Sequence, residues 1–178
     1  LIDNQGLWHH WDCHGSFSHP DRDVVVQRVE QARRDVDFFL QKAQRVVLTL
    51  GTAEVFEWHG SGRVVANCHK VPAAQFTQRR LSVNEVVESL TVPLQRLHER
   101  QPDLRAVLTV SPVRHLRNGA VENQRSKATL VLACAELAAQ LPWVHYFPAY
   151  ELLLDDLRDY RFYAADMLHP SEVAVDYI

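Results

Sequence analysis

The sequence predicts an α/β protein, a three-layer arrangement with helices on both faces of a mainly parallel sheet. Three observations carry that expectation. Stretches with apolar residues at steps of three and four alternate with short β-branched runs, the pattern of helices linking parallel strands. The runs Val46 to Leu50 and Ala106 to Val110 are almost continuously apolar, as in strands buried on both faces. Each ends on a turn former, Gly51 or Ser111-Pro112, and such folds place their ligands at the carboxyl ends of strands.

Taken in order, residues 1–19 read as an irregular, aromatic and polar loop. Ser18-His19-Pro20-Asp21 then reads as a helix start, with a capping hydroxyl, an early proline and an acid. Val25, Val29, Ala32, Val36, Phe39 and Ala43 mark the inner face of a helix reaching about residue 44. A strand over 46–50 follows. Residues 54–67 resemble a hairpin turning at His59-Gly60-Ser61-Gly62. Ser82 and Glu85 form a capping box for a second helix, which Pro93 should kink or split. The second strand, 106–110, leads to a long helix stopped by Pro142. A third strand lies in "VHYFPAY", and "YELLLDDLRDY" gives a helical turn or two before the final segment.

The composition sets limits. A chain of 178 residues with 47% hydrophobic content predicts one domain with a substantial core. A net charge of −3 without a Lys/Arg stripe argues against nucleic acid as a partner. No run has the length of a membrane span and no signal pattern opens the chain, so the expected location is the cytoplasm. Cys13, Cys68 and Cys134 are scattered and odd in number, which predicts reduced or buried thiols. Ten histidines direct attention to polar sites. The chain starts at Leu1 and stops at Ile178 inside a helical pattern, which suggests a piece of a longer protein.

In "YAADMLHPSEVAVDYI", Asp166 stands three residues before His169, and Pro170 follows. A proline after a histidine suggests that the imidazole lies in a loop ahead of a helix; an acid at that spacing can hold the ring, or it can merely cap the loop beside a surface histidine. The stretches "LTLGTAEVF", "VANCHKVP", "LTVSPVRH", "ENQRSKATL" and "YELLLDDLRDYRFYAADMLHPS" resemble the GSCFA family of bacterial proteins, placed among the SGNH/GDSL-type hydrolases. The resemblance runs over the whole chain. It implies the SGNH, flavodoxin-like architecture and a single domain over 1–178 lacking its first strand and nucleophile block. It also implies that Asp166 and His169 supply the acid and base of a Ser-His-Asp triad.

Two departures from the family pattern stand out. The block that normally reads G-x-N-D reads Gly51-Thr52-Ala53-Glu54, with alanine where the oxyanion-binding asparagine belongs. Asn67, with His69 beside it, is the candidate replacement; both residues are otherwise read as hydrogen-bonded pins of the hairpin. The nucleophilic G-S-C-F-A block is absent from 1–178 and is expected upstream of Leu1.

Ser111, Arg114 and His115 are expected to line the pocket or brace its loops, and Arg114 suits a carboxylate or phosphate. Ser126 and Lys127, adjacent on a helix, are expected to face different ways and to be structural. His9, His10, Asp12, Cys13 and His14 are ligand types suited to zinc, but neighbours in sequence cannot all point inward; a loop at the site mouth is preferred and no metal or cofactor is expected. The expected function is hydrolysis or transfer of an acyl ester, with a small molecule or glycan ester as substrate. The alternative is a non-catalytic domain that binds a glycan or a protein.

Overall fold

In the computed structural model, which describes residues 1–178, the chain divides into two compact units. The first comprises Leu1–Lys42 with Glu54–Arg80, and the second Ala43–Ala53 with Leu81–Ile178.

The first unit opens with a hairpin, β1 (Ile2–Asn4) and β2 (Leu7–His9), where the sequence predicts only a loop. Gln5 and Gly6 both take positive φ, 57° and 76°, the geometry that joins adjacent antiparallel strands in two residues. Helix α1 (Arg22–Leu40) is capped by Asp21, whose carboxylate accepts the Asp23 N–H, and not by Ser18. Ser18 instead faces His9, with 2.6 Å between Oγ and Nδ1. Val25 and Val29 are buried as predicted, but Val36 and Phe39 are exposed and the helix ends at Leu40. Strands β4 (Glu54–Trp58) and β5 (Arg63–Val65) form the expected hairpin. A strand the sequence reading omits, β6 (Phe76–Arg80), pairs with the other edge of β4. Trp11, Val65, Val71 and Phe76 form the core of this unit.

The second unit is built on a parallel sheet, β3 (Arg45–Leu50), β7 (Arg105–Val110) and β8 (Val144–Phe147), with β7 central. Helices α2 (Val83–Arg100) and α3 (Gly119–Gln140) share one core with it. Val87 and Leu94 from α2, Leu130, Cys134 and Leu137 from α3, and Ala106, Leu108 and Val110 from β7 all lie within it. The mixed α/β class with a parallel sheet is therefore as read. On the opposite face of β3, Val47 is 63% exposed.

The Ser82/Glu85 box caps α2 in both directions. Ser82→Ala should lower stability by about 1 kcal/mol in urea denaturation, because it removes the acceptor for an orphan helix N–H. Pro93 does not split α2. It sits on the exposed side while Leu94 on the next position is 1% exposed, so core packing holds the helix through the missing bond. After β8 the chain makes a short helix α4 (Ala149–Glu151), a wide π-type turn (Leu152–Asp156) and, at the end, α5 (Glu172–Tyr177).

Candidate active site

The loop before α5 is folded on itself. The Ala164 N–H donates to the His169 carbonyl at 2.8 Å, and the Ser171 N–H donates to Phe162 at 2.8 Å. Met167, near the tip, takes φ of 61°, an uncommon conformation for a side chain of this size. Asp166 organises the turn. Its Oδ1 accepts the Leu168 and His169 N–H groups at 2.9 and 3.0 Å, and its Oδ2 lies 2.6 Å from His169 Nδ1.

Those contacts, the His169 backbone N–H first, hold the Asp166 carboxyl down to about 2. Its folded value lies below the ordinary 3.8, so the pair's contribution is complete above that range and is lost as pH falls through about 2. An ionised carboxylate only accepts hydrogen bonds. His169 Nδ1 therefore carries the proton in the neutral ring, and Nε2 presents its lone pair. The His169 side chain is 59% exposed.

A second group of residues closes the C-terminal ends of β3 and β7. The Ser111 N–H extends the ladder by donating to Leu50 at 2.9 Å, and Ser111 Oγ accepts from Val113. Arg114 ties this region to the His169 loop. Its N–H donates to the Leu168 carbonyl at 3.1 Å, Nη1 donates to the Met167 carbonyl at 3.1 Å, and the guanidinium lies 3.8 Å from the Tyr163 ring centre. The His115 N–H donates to Asn123 Oδ1 at 2.8 Å. A Cβ placed on Gly51 would stand 3.3 Å from His115 Nε2; glycine gives this ring room. Burial, then the charges of Lys127 and His169, push the His115 imidazole down from its ordinary value.

Lys127 and Ser126 depart from expectation. Both are buried and both turn to the end of β3. Lys127, 1% exposed, donates from Nζ to the Gly51 and Ser111 carbonyls at 2.6 Å each, and burial pulls its ammonium down to about 8. Ser126 Oγ accepts the Ala53 N–H at 2.7 Å and lies 3.0 Å from Thr52 Oγ1. Neighbours on a helix are about 100° apart, which a wide buried stripe accommodates. The signal was in the spacing: Asn123, Ser126, Lys127, Leu130, Ala133, Cys134 and Leu137 are all buried along α3, so these polar residues occupy core positions.

Asn67 and His69 belong to the first unit, whereas Gly51, Ser111, Arg114, His115, Asp166 and His169 belong to the second. Asn67 Oδ1 accepts the His69 N–H at 2.9 Å, and His69 Nε2 lies 2.8 Å from the His10 carbonyl. Nor do the residues of the N-terminal cluster converge. Asp12 pairs with Arg63 at 2.7 Å, His10 Nδ1 accepts the Asp12 N–H, and His14 Nδ1 accepts the Ser16 N–H. No three of the His, Cys, Asp and Glu side chains form a metal-binding group.

The second unit is thus a mixed α/β fold with a parallel sheet, in which Arg114, just past the end of β7, is tied to the loop that carries the Asp166-His169 pair. The chain belongs to the GSCFA family, whose model matches residues 1–178. No curated protein and no solved structure matches the sequence. No helix is long and apolar enough to cross a membrane.

Proposed function

We propose that this chain carries the acid and base of an SGNH-type ester hydrolase or O-acyltransferase, with three-layer SGNH architecture as part of the same proposal. The observation that carries it is the 2.6 Å contact between Asp166 Oδ2 and His169 Nδ1 on a carboxylate held ionised by backbone N–H groups. His169 Nε2 takes the proton of an attacking serine hydroxyl, Asp166 fixes the tautomer and steadies the imidazolium, and the leaving group receives the proton. The serine is assigned to the G-S-C-F-A block, upstream of Leu1. Gly51, Ser111, Arg114 and His115 line the reacting region, and the substrate is a small-molecule or glycan ester.

The test uses the full-length protein and p-nitrophenyl acetate. Asp166→Asn keeps an oxygen to accept the Leu168 and His169 N–H groups but turns an NH2 donor towards Nδ1. The ring then presents the wrong tautomer, and kcat should fall on the order of 10³- to 10⁴-fold with the melting temperature nearly unchanged. Turnover equal to wild type would remove the proposal.

A second reading, a non-catalytic domain that binds a glycan or a protein, draws on one observation. Ala53 stands where an amide donor is expected, and its own N–H is already engaged by Ser126 Oγ. This reading predicts saturable ligand binding by a full-length protein that turns over no ester.

A further inference from the structure

The first unit contains a cavity of about 370 Å³ whose walls include Asn4, His9, Ser18, Asn67, His69 and Lys70. Its chemistry is uneven. The side chains in its wall that can carry charge are histidines and Lys70, and no carboxylate lines it. His9 and His69 are 9% and 7% exposed and stack with ring centres 4.5 Å apart.

Each ring is anchored by one nitrogen. His9 Nδ1 meets Ser18 Oγ at 2.6 Å, and His69 Nε2 meets the His10 carbonyl at 2.8 Å. A carbonyl only accepts, so His69 Nε2 carries the proton and Nδ1 is left as a bare acceptor on a ring lining the cavity. Burial pushes the His69 imidazole down from its ordinary value, which favours this neutral form. The amides are likewise half used. Asn4 donates from Nδ2 to the His69 carbonyl, which leaves Oδ1 to accept; Asn67 accepts the His69 N–H at Oδ1, which leaves Nδ2 to donate.

The backbone around the cavity is strained. Positive φ in residues other than glycine occurs at Gln5, where the β1–β2 turn requires it, and at His69, Lys70 and Met167; His69 and Lys70 line this cavity. A side chain held in that region costs on the order of 1 kcal/mol or more, and such strain gathers at ligand sites. Met167, the fourth, lies in the His169 loop.

We infer that this cavity is a binding site for a small hydroxylated carboxylate of the uronic-acid type. Ligand hydroxyls donate to His69 Nδ1 and Asn4 Oδ1, and the carboxylate accepts from Asn67 Nδ2 and the Lys70 ammonium. Lys70 is the one wall residue with a permanent positive charge at neutral pH, which matches a single carboxylate. The cavity volume lies within the range of small-molecule sites. The inference stands apart from the hydrolase proposal, since its residues all belong to the first unit.

The experiment is an NMR titration of the full-length protein with glucuronate, glucose and glucose 6-phosphate, following the imidazole nitrogen resonances. Glucuronate should bind saturably and shift His69 Nδ1, with an affinity about tenfold above that of glucose. Lys70→Gln, an exposed change, should weaken glucuronate about tenfold and leave glucose unaffected. His169→Ala should leave glucuronate binding intact, so this result and the loss of ester turnover are read separately. Absence of saturable glucuronate binding would overturn the inference. So would equal affinity for glucose, tighter binding of glucose 6-phosphate, or indifference to Lys70→Gln.

Discussion

Replacing His169 by alanine in the full-length protein should cut kcat for a small aryl acetate by at least about 10³-fold and leave KM within about twofold. The expectation follows from the division of labour on the ring. Nδ1 is committed to Asp166 at 2.6 Å, so Nε2 is the atom left to take a proton. Alanine removes it and offers no substitute. The fold should tolerate the change, because the loop's bonds at this position are made by the backbone: the His169 N–H to Asp166 and the His169 carbonyl from Ala164. A side chain 59% exposed also contributes little packing. His115 provides the internal comparison. Its ring sits near Gly51, its backbone N–H is held by Asn123, and burial, then the charges of Lys127 and His169, push its imidazole down from its ordinary value. Loss of turnover in His115→Ala with full activity in His169→Ala would transfer the role of base to His115 and end the present assignment.

The Asp-His pair was legible because its physics is local. Three residues of one loop bring carboxylate and imidazole together, and little else in the fold needs to be known. The parallel strands were legible for a similar reason, since Ala106 to Val110 must be apolar wherever the rest of the chain goes. Elements decided by distant partners were not. The strands of the opening hairpin have three residues each, too short for a period of two to show against aromatic and histidine-rich neighbours. β6 reads "FTQRR", with nothing apolar to announce it beyond Phe76; its reason to exist is the free edge of β4. Pro93 misled because propensity is a weak prior once a helix is packed, as Leu94 is. Val36 and Phe39 misled in the other direction. They satisfy the helical period yet remain exposed. Asn67, legible from sequence as an oxyanion candidate or as a pin of its hairpin, accepts the His69 N–H at Oδ1 within its own turn.

Lys127→Met should lower stability by about 2 kcal/mol and reduce ester turnover in the full-length protein more than its mild effect on folding explains. Two terms oppose each other. The half-buried Gly51 and Ser111 carbonyls, each 2.6 Å from Nζ, lose their partner, and an unpaired carbonyl costs about 1–3 kcal/mol where it is fully buried and less here. Against this, methionine relieves the burial of an ammonium that is 1% exposed. The carbonyls win because methionine matches the lysine stem in length but donates nothing. The pH dependence separates this account from simple loss of packing. Lys127 titrates at about 8 in the fold against an ordinary 10.5, so between those values the unfolded chain binds the extra proton. Stability linked to this group therefore rises with pH across that window, and the deficit of Lys127→Met relative to wild type should widen from about pH 8 to about pH 10 in urea denaturation. A deficit constant in pH would mean that the side chain acts only as filler. Since Gly51 and Ser111 end the two strands beside His115, a clamp between their carbonyls sets the spacing on which the Asp166-His169 loop closes through Arg114. A variant that keeps its stability and its turnover would show that the strand ends hold their positions without it.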